Sequence, residues 1–156
     1  MRIVVQRCSR AEVRIDGIIT GQIQQGFLLL VGITETDTKA EAELLAKKIA
    51  QLRVFEDPQG KMNLSLNDIN GAILSISQLT LYADCRKGNR PSFIRAAKPD
   101  LAKPLYDYFN DTLRSTHHLH VETGRFGADM KVDFINDGPV TILFDSDDFS
   151  SPSAKP

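Results

Sequence analysis

The chain runs to 156 residues, room for one ordinary domain and short of two. Hydrophobic residues at 42% and charged residues at 25% are globular proportions and exclude a disordered chain. Nineteen Lys and Arg against twenty Asp and Glu leave a net charge of −1, which excludes a generally basic nucleic-acid wrapper but not a local basic patch.

Met1-Arg2-Ile3-Val4-Val5-Gln6-Arg7 meets Gln and Arg too early to read as a signal peptide. Ile3 and Val5, then Ala11, Val13 and Ile15, alternate as half-buried strands require. Asp16-Gly17 supplies a tight hairpin turn, and Ile18 to Gln24 is the returning strand. Phe27 to Ile33 is apolar on both faces, as a central strand is. Its run of five apolar residues, Phe27 to Val31, is far too short to span a membrane, so no membrane partner is expected. Thr38-Lys39-Ala40-Glu41 is a capping box, and Ala42, Leu45, Ile49 and Leu52 follow at helical spacing.

Arg53 to Phe55 reads as a short strand and Asp57-Pro58-Gln59-Gly60 as a turn. Ala72 to Tyr82 reads as one long strand, and Ala83 to Ala97 as a loop. Leu105, Phe109 and Leu113 mark a second helix near residues 100–115, with Pro104 obscuring where it starts. Val121, Val132 to Phe134 and Val140 to Phe144 supply the last strands, with Asn136 to Pro139 as the turn between the final two. The order predicts an α+β fold: a curled, mainly antiparallel, barrel-like sheet with two main helices. It forms a single domain over residues 1–146, and the polar tail 147–156 is expected to be flexible. Cys8 and Cys85 are isolated, with no CxxC pair, which excludes a disulfide scaffold and fits a reducing cytoplasm.

Four segments could carry chemistry. Ser77-Gln78-Leu79-Thr80 puts hydrogen-bonding side chains in the middle of an apolar strand, and a buried polar group without a partner costs about 1–3 kcal/mol. Either they face a pocket or they cap a neighbouring loop. Asn136-Asp137-Gly138-Pro139 is a plain turn or a held Gly-Pro loop presenting fixed carbonyls. Arg86, Lys87 and Arg90, with Arg95 and Lys98 beyond, form the only basic cluster: a phosphate reader or an ordinary surface loop. His117, His118 and His120 have no Cys or compactly spaced carboxylate to complete a metal site, so a solvated strand end is the simpler reading. No Walker loop, HExxH, GxGxxG or GxSxG motif is present, and no metal or organic cofactor is expected.

Ser77-Gln78-Leu79-Thr80-Leu81 resembles the SQxTL motif of the D-aminoacyl-tRNA deacylases. Asn136 to Thr141 resembles their Gly-cisPro motif. Residues 1–7, 60–63, 86–93 and 123–130 resemble family segments in the same order, so the similarity covers residue 1 to about 145. Cys8, in place of an aliphatic residue, and the histidine stretch depart from the pattern and leave both motifs intact.

The resemblance implies an esterase that removes a D-amino acid, or glycine, from the 3′ end of mischarged tRNA. It implies a homodimer with the active site at the subunit interface. Thr80, Gln78 and Ser77 of one subunit would face Gly138-Pro139 of the other, whose carbonyls hold the substrate amino group and exclude an L side chain. Phe126 would stack on the terminal adenine, Met130 would line the same pocket, and Arg7 would orient the Gly138-Pro139 loop. Arg86, Lys87 and Arg90 would lie near the acceptor stem. Two mechanisms stay open: water attack assisted by the adenosine 2′-OH, and attack by Thr80. A binding module without hydrolysis, and an esterase on small D-aminoacyl compounds, are the rival functions.

Overall fold

The computed structural model describes residues 1–150. Eight strands and two α-helices follow in the order β1 (Arg2–Ile15), β2 (Ile18–Ile23), β3 (Gly26–Gly32), α1 (Lys39–Ala50), β4 (Phe55–Glu56), β5 (Met62–Leu64), β6 (Ala72–Ser77), α2 (Pro99–Ser115), β7 (His120–Thr123) and β8 (Lys131–Asp145). None of these helices is long and apolar enough to cross a membrane. Residues 146–149 close the described chain with a single 3-10 turn that packs Phe149 against Phe144. Of the expected tail, residues 151–156 lie outside the described residues.

The main sheet is α+β in its packing and curls almost into a barrel. β1 organises it. The N-terminal half of β1 pairs with β3 and its C-terminal half with β2, while β8 runs antiparallel along the opposite edge. β6 then joins β3 in parallel, and β7 joins β6 in parallel. The sheet is therefore mixed, antiparallel around β1 and parallel around β6. Gly21 lets β2 curl back towards β7, where a Cβ would sit 2.6 Å from the Thr123 carbonyl oxygen.

Strand β3 explains the two-sided apolar run. Phe27, Leu29 and Val31 face the helices with Ile3, Val5 and Ile73, against Leu45 and Ile49 of α1 and Phe109 and Leu113 of α2. Leu28 turns inward with Cys8, Ala11, Val13, Ile23, Leu74 and Ile76, filling the curl. Helix α1 starts on the expected box: Ala40 N–H donates to Thr38 Oγ1 (3.2 Å) and Thr38 N–H to Glu41 Oε1 (2.6 Å). Helix α2 starts on Pro99, whose missing N–H is not needed there, and runs on through Pro104.

Two local expectations change. The strand read over 72–82 ends at Ser77, and Leu79–Tyr82 is a 3-10 turn. The ladder runs out of partners: β3 pairs only as far as Ser77 and β7 only as far as Ser75. The turn read at Asn136–Pro139 is not a hairpin. β8 continues through it in one direction, with Asn136 opposite Cys8 and Thr141 opposite Gln6, so the residues between bulge out beside Arg7.

Candidate active site

The chain leaves β6 through a hydrogen bond from Gln78 N–H to the Val31 carbonyl (2.8 Å), and Ala83 N–H closes the turn on Thr80 O (3.1 Å). Gly32 makes room for it. A Cβ there would lie 2.9 Å from Leu81 Cβ and 3.2 Å from Gln78 O. Arg2 holds the far side, donating from Nη1 to Leu81 O (3.0 Å), lying 4.5 Å from the Tyr82 ring centre and pairing with Asp145. Ser77 and Gln78 are half-buried and Thr80 is exposed, so these polar groups do not carry the burial cost that a strand interior would impose.

The turn forms one wall of a cavity of about 440 Å³. Phe126, Met130 and Val132 also line it, as do Phe93, Ala97 and Ala102. Five of the residues singled out in the sequence thus meet here: Ser77, Gln78, Thr80, Phe126 and Met130. Phe126 is braced by Tyr106, ring centres 6.0 Å apart, and the Tyr106 hydroxyl donates to Ser75 O (2.7 Å). Met130 reaches the wall because residue 124 is glycine, where a Cβ would lie 2.5 Å from the Met130 sulfur. Phe93 was not assigned from sequence. Its one signal in the sequence is its place at the end of the 86–93 segment that resembles the family.

Gln78 Nε2 donates to Thr80 Oγ1. A hydroxyl that accepts a hydrogen bond is a better donor to a third group, so Thr80 presents an O–H to the cavity. No base is positioned to remove that proton. Among the lining residues only Asp129 ionises, and it is exposed and paired with Lys131 at 3.1 Å. The arrangement can orient a carbonyl and donate hydrogen bonds to an oxyanion. It carries no nucleophile–base pair.

Arg7, Gly138 and Pro139 form a second cluster that does not line this cavity. Arg7 is 7% exposed; its Nε donates to Asp137 O (2.9 Å) and its Nη1 to Val54 O (2.6 Å). Asn136 locks the bulge from inside, accepting from Val140 N–H (3.1 Å) and donating to Gln6 Oε1 (2.8 Å). The Gly138–Pro139 bond is cis. Gly138 has φ +134, and a Cβ on it would sit 3.0 Å from Arg7 Nη2 and 2.8 Å from Val140 Cγ2.

Arg86, Lys87 and Arg90 do not line the cavity. Arg86 forks onto Asp84 at 2.9 and 2.8 Å, a hydrogen-bonded pairing that holds the Asp84 carboxyl down at about 2. Lys87 and Arg90 are exposed and make no ion pair among the described residues. The histidines do not gather. His120 Nε2 lies 2.9 Å from Glu122 Oε2, His118 adopts φ +58, and burial lowers the His117 pKa. No group of three metal-ligating side chains forms among the described residues. Cys8 is fully buried, which pushes its thiol up to about 11, while Cys85 is exposed.

Comparison with known proteins identifies the family. The family model described as D-Tyr-tRNA(Tyr) deacylase matches residues 4–145. The chain is 58% identical to a D-aminoacyl-tRNA deacylase of Bacillus cytotoxicus over 146 residues, 94% of this chain and 99% of that protein. One from Bacillus cereus matches at 59% with the same coverage. Among solved structures, one titled c-Myc DNA Unwinding Element Binding Protein superposes with TM-score 0.87 at 42% identity, covering 93% of this chain and 98% of that one. A probable eukaryotic D-amino acid tRNA deacylase shares the fold at TM-score 0.78 and 17% identity, covering 92% and 97%.

Proposed function

The chain belongs to the D-Tyr-tRNA(Tyr) deacylase family and is a hydrolase of ester bonds; from that premise we propose that its substrate is a D-amino acid, or glycine, esterified to the 3′-terminal adenosine of tRNA. The observation that carries this is the cavity in which the Ser77-Gln78-Thr80 turn faces Phe126 and Met130 without a general base. An aminoacyl ester is already activated. It needs orientation and a stabilised oxyanion more than a strong nucleophile. Phe126 takes the terminal adenine by stacking, worth about 1–3 kcal/mol. Met130 closes the base pocket. Gln78, through Thr80, sets the O–H that meets the developing oxyanion, and Ser77 adds its hydroxyl from the strand end. Water attacks with help from the adenosine 2′-OH, which lies on the carbon next to the one bearing the ester oxygen.

Chiral selection belongs to the bulge. Arg7 and Asn136 hold the backbone around Gly138-Pro139 from two sides, so its carbonyls are fixed in direction. Fixed carbonyls receive the α-ammonium group and leave no space for an L side chain, while the hydrogen of glycine passes. A thousand-fold preference needs about 4 kcal/mol. A clash against rigid backbone supplies that more readily than one apolar contact. Since this loop does not line its own chain's cavity, the working site is completed by a second copy. Two features support a homodimer. Among the described residues β8 pairs only with β1 and leaves its other edge open, and Ile135 and Leu143 on it are 50% and 73% exposed. The enzyme acts where tRNA is charged, in the cytoplasm. The acceptor stem runs towards Arg86, Lys87 and Arg90, with Lys87 and Arg90 free for phosphates.

The test is a time course on D-Tyr-tRNA and L-Tyr-tRNA with enzyme well below substrate. Loss of the D-ester alone is expected. Sparing of both esters by a folded dimer overturns the reading. The unpaired Lys87 and Arg90, and the name of the 42% identical solved structure, favour duplex DNA binding as a second reading. Salt-sensitive duplex binding, unchanged in Thr80→Ala and without ester turnover, would put it first.

A further inference from the structure

A second groove begins where the cavity ends. It lies between one face of α2 and residues 123–126, has a volume of about 380 Å³, and shares Phe126 with the cavity. The α2 face is built from residues three and four apart: Lys103, Tyr106, Asp107, Asn110, Asp111 and Arg114. Its charges are largely matched within the helix. Lys103 pairs with Asp107 at 2.7 Å, and Arg114 pairs with Asp111 at 3.1 Å while also donating to Val121 O. Arg125 is different. It is exposed, and its guanidinium has no hydrogen-bond or ion-pair partner among the described residues.

Asn110 is the second unusual group. It is 2% exposed, lines this groove, and its Oδ1 is buried without a partner. A buried amide oxygen without a donor is costly, so a ligand that brings an N–H gains by occupying the groove. The groove therefore offers a free cation, an orphan acceptor and the edge of an aromatic ring that also belongs to the cavity.

Resting on the deacylase reading, we infer that this groove is a subsite for the nucleotide preceding the terminal adenosine, with Arg125 on its phosphate and Asn110 Oδ1 on an exocyclic base amine. With adenine on Phe126, the strand continues 5′ past the same ring, and the next groups along it are a phosphodiester and a base. The penultimate base of tRNA is cytosine, whose N4 amine is the donor that Asn110 lacks. Uracil places a carbonyl oxygen at that position and would leave Asn110 facing another acceptor.

Titration calorimetry of the full chain with adenosine, CpA and UpA tests the assignment. CpA is expected to bind about tenfold more tightly than UpA, the effect of one buried donor–acceptor match. Both should bind more tightly than adenosine, through the phosphate. Arg125→Ala should weaken CpA several-fold; the residue is exposed, so the fold does not depend on it. Asn110→Ala should bring CpA and UpA together. Equal affinity of the wild-type protein for CpA and UpA overturns the base contact, and CpA no tighter than adenosine overturns the subsite. Titration needs no turnover. CpA preference without deacylation would sink the enzymatic reading and keep the groove, and deacylation with indifference to CpA would do the reverse.

Discussion

The bond from Gln78 to Thr80 assigns the two side chains unequal parts. On the reading proposed above, Thr80 donates its O–H to the oxyanion and does not attack. Thr80→Ala should therefore lower kcat by about 10²–10³-fold, the cost of an oxyanion donor, whereas a lost nucleophile costs on the order of 10⁴–10⁶-fold. Single-turnover rates on D-Tyr-tRNA decide between the two, and a 2′-deoxy terminal adenosine should be the more damaging change. Phe126→Ala should raise KM about tenfold and spare kcat, as a stacking contact does. Arg7→Ala strips two carbonyls, Asp137 O and Val54 O, of a charged donor. It should cost about 2–3 kcal/mol in urea unfolding and narrow the D-over-L preference. Burial raises Cys8 from its ordinary 9.0 to about 11. Between those values the unfolded chain releases a proton that the folded chain keeps, so stability falls as pH rises through this window and is intact below it. At about 1.4 kcal/mol per unit, the loss by pH 11 is about 2–3 kcal/mol. The alkaline fall in melting temperature should shrink in Cys8→Ala, and only Cys85 should react with a thiol reagent in the native protein. At this scale the sequence was most legible. The residues that came together at the cavity carry their chemistry in their side chains. Gly32 and Gly124 were not legible, because their role is what their missing Cβ would strike.

Among the elements, the capping box of α1 was readable because its partners are three residues apart and need nothing else from the fold. Thr38→Ala should cost about 1 kcal/mol, read as a shift in the urea midpoint. The end of the strand at Ser77 is hidden in the sequence for the opposite reason. Alternation continues in the sequence past Ser77, but a strand lasts only as long as its neighbours do, and both had ended. Asn136 to Pro139 reads as a hairpin or as a held loop in sequence, because the same residue types serve any sharp departure from extended backbone. Whether the chain reverses or bulges depends on β1, some 130 residues earlier in the chain. Gly26 couples two elements directly. At φ +157, a Cβ would lie 1.8 Å from Ala72 O, so Gly26→Ala should break the parallel β3–β6 pairing and with it the platform that carries the Gln78–Thr80 turn. Loss of the near-native far-UV circular dichroism would show it.

At the scale of the whole molecule, the two clusters singled out in the sequence do not meet within one chain. The cavity opens in one place and the Arg7–Gly138 cluster sits in another. The homodimer reading makes a sharp demand. Leu143→Glu, on a side chain 73% exposed in the single chain, should leave the fold intact yet shift the molecule to a monomer in light scattering and abolish turnover. A fully active monomer would overturn it. Fold class was legible from the order of periodic segments. So was the curl of the sheet; the parallel pairing of β3, β6 and β7 was not, since strand direction depends on which segments become neighbours.

Strand β1 is an early segment whose longest partner is β8. During synthesis at about 5–20 residues per second, β1 and β3 leave the ribosome first and can zip together by themselves. The other edge of β1 then stays bare until Lys131–Asp145 emerges. For that interval the nascent chain offers an apolar edge to any other strand nearby, including the β1 of a neighbouring chain on the same message. Polysomes translating this protein should therefore be rich in chaperone contacts that vanish once β8 has been made.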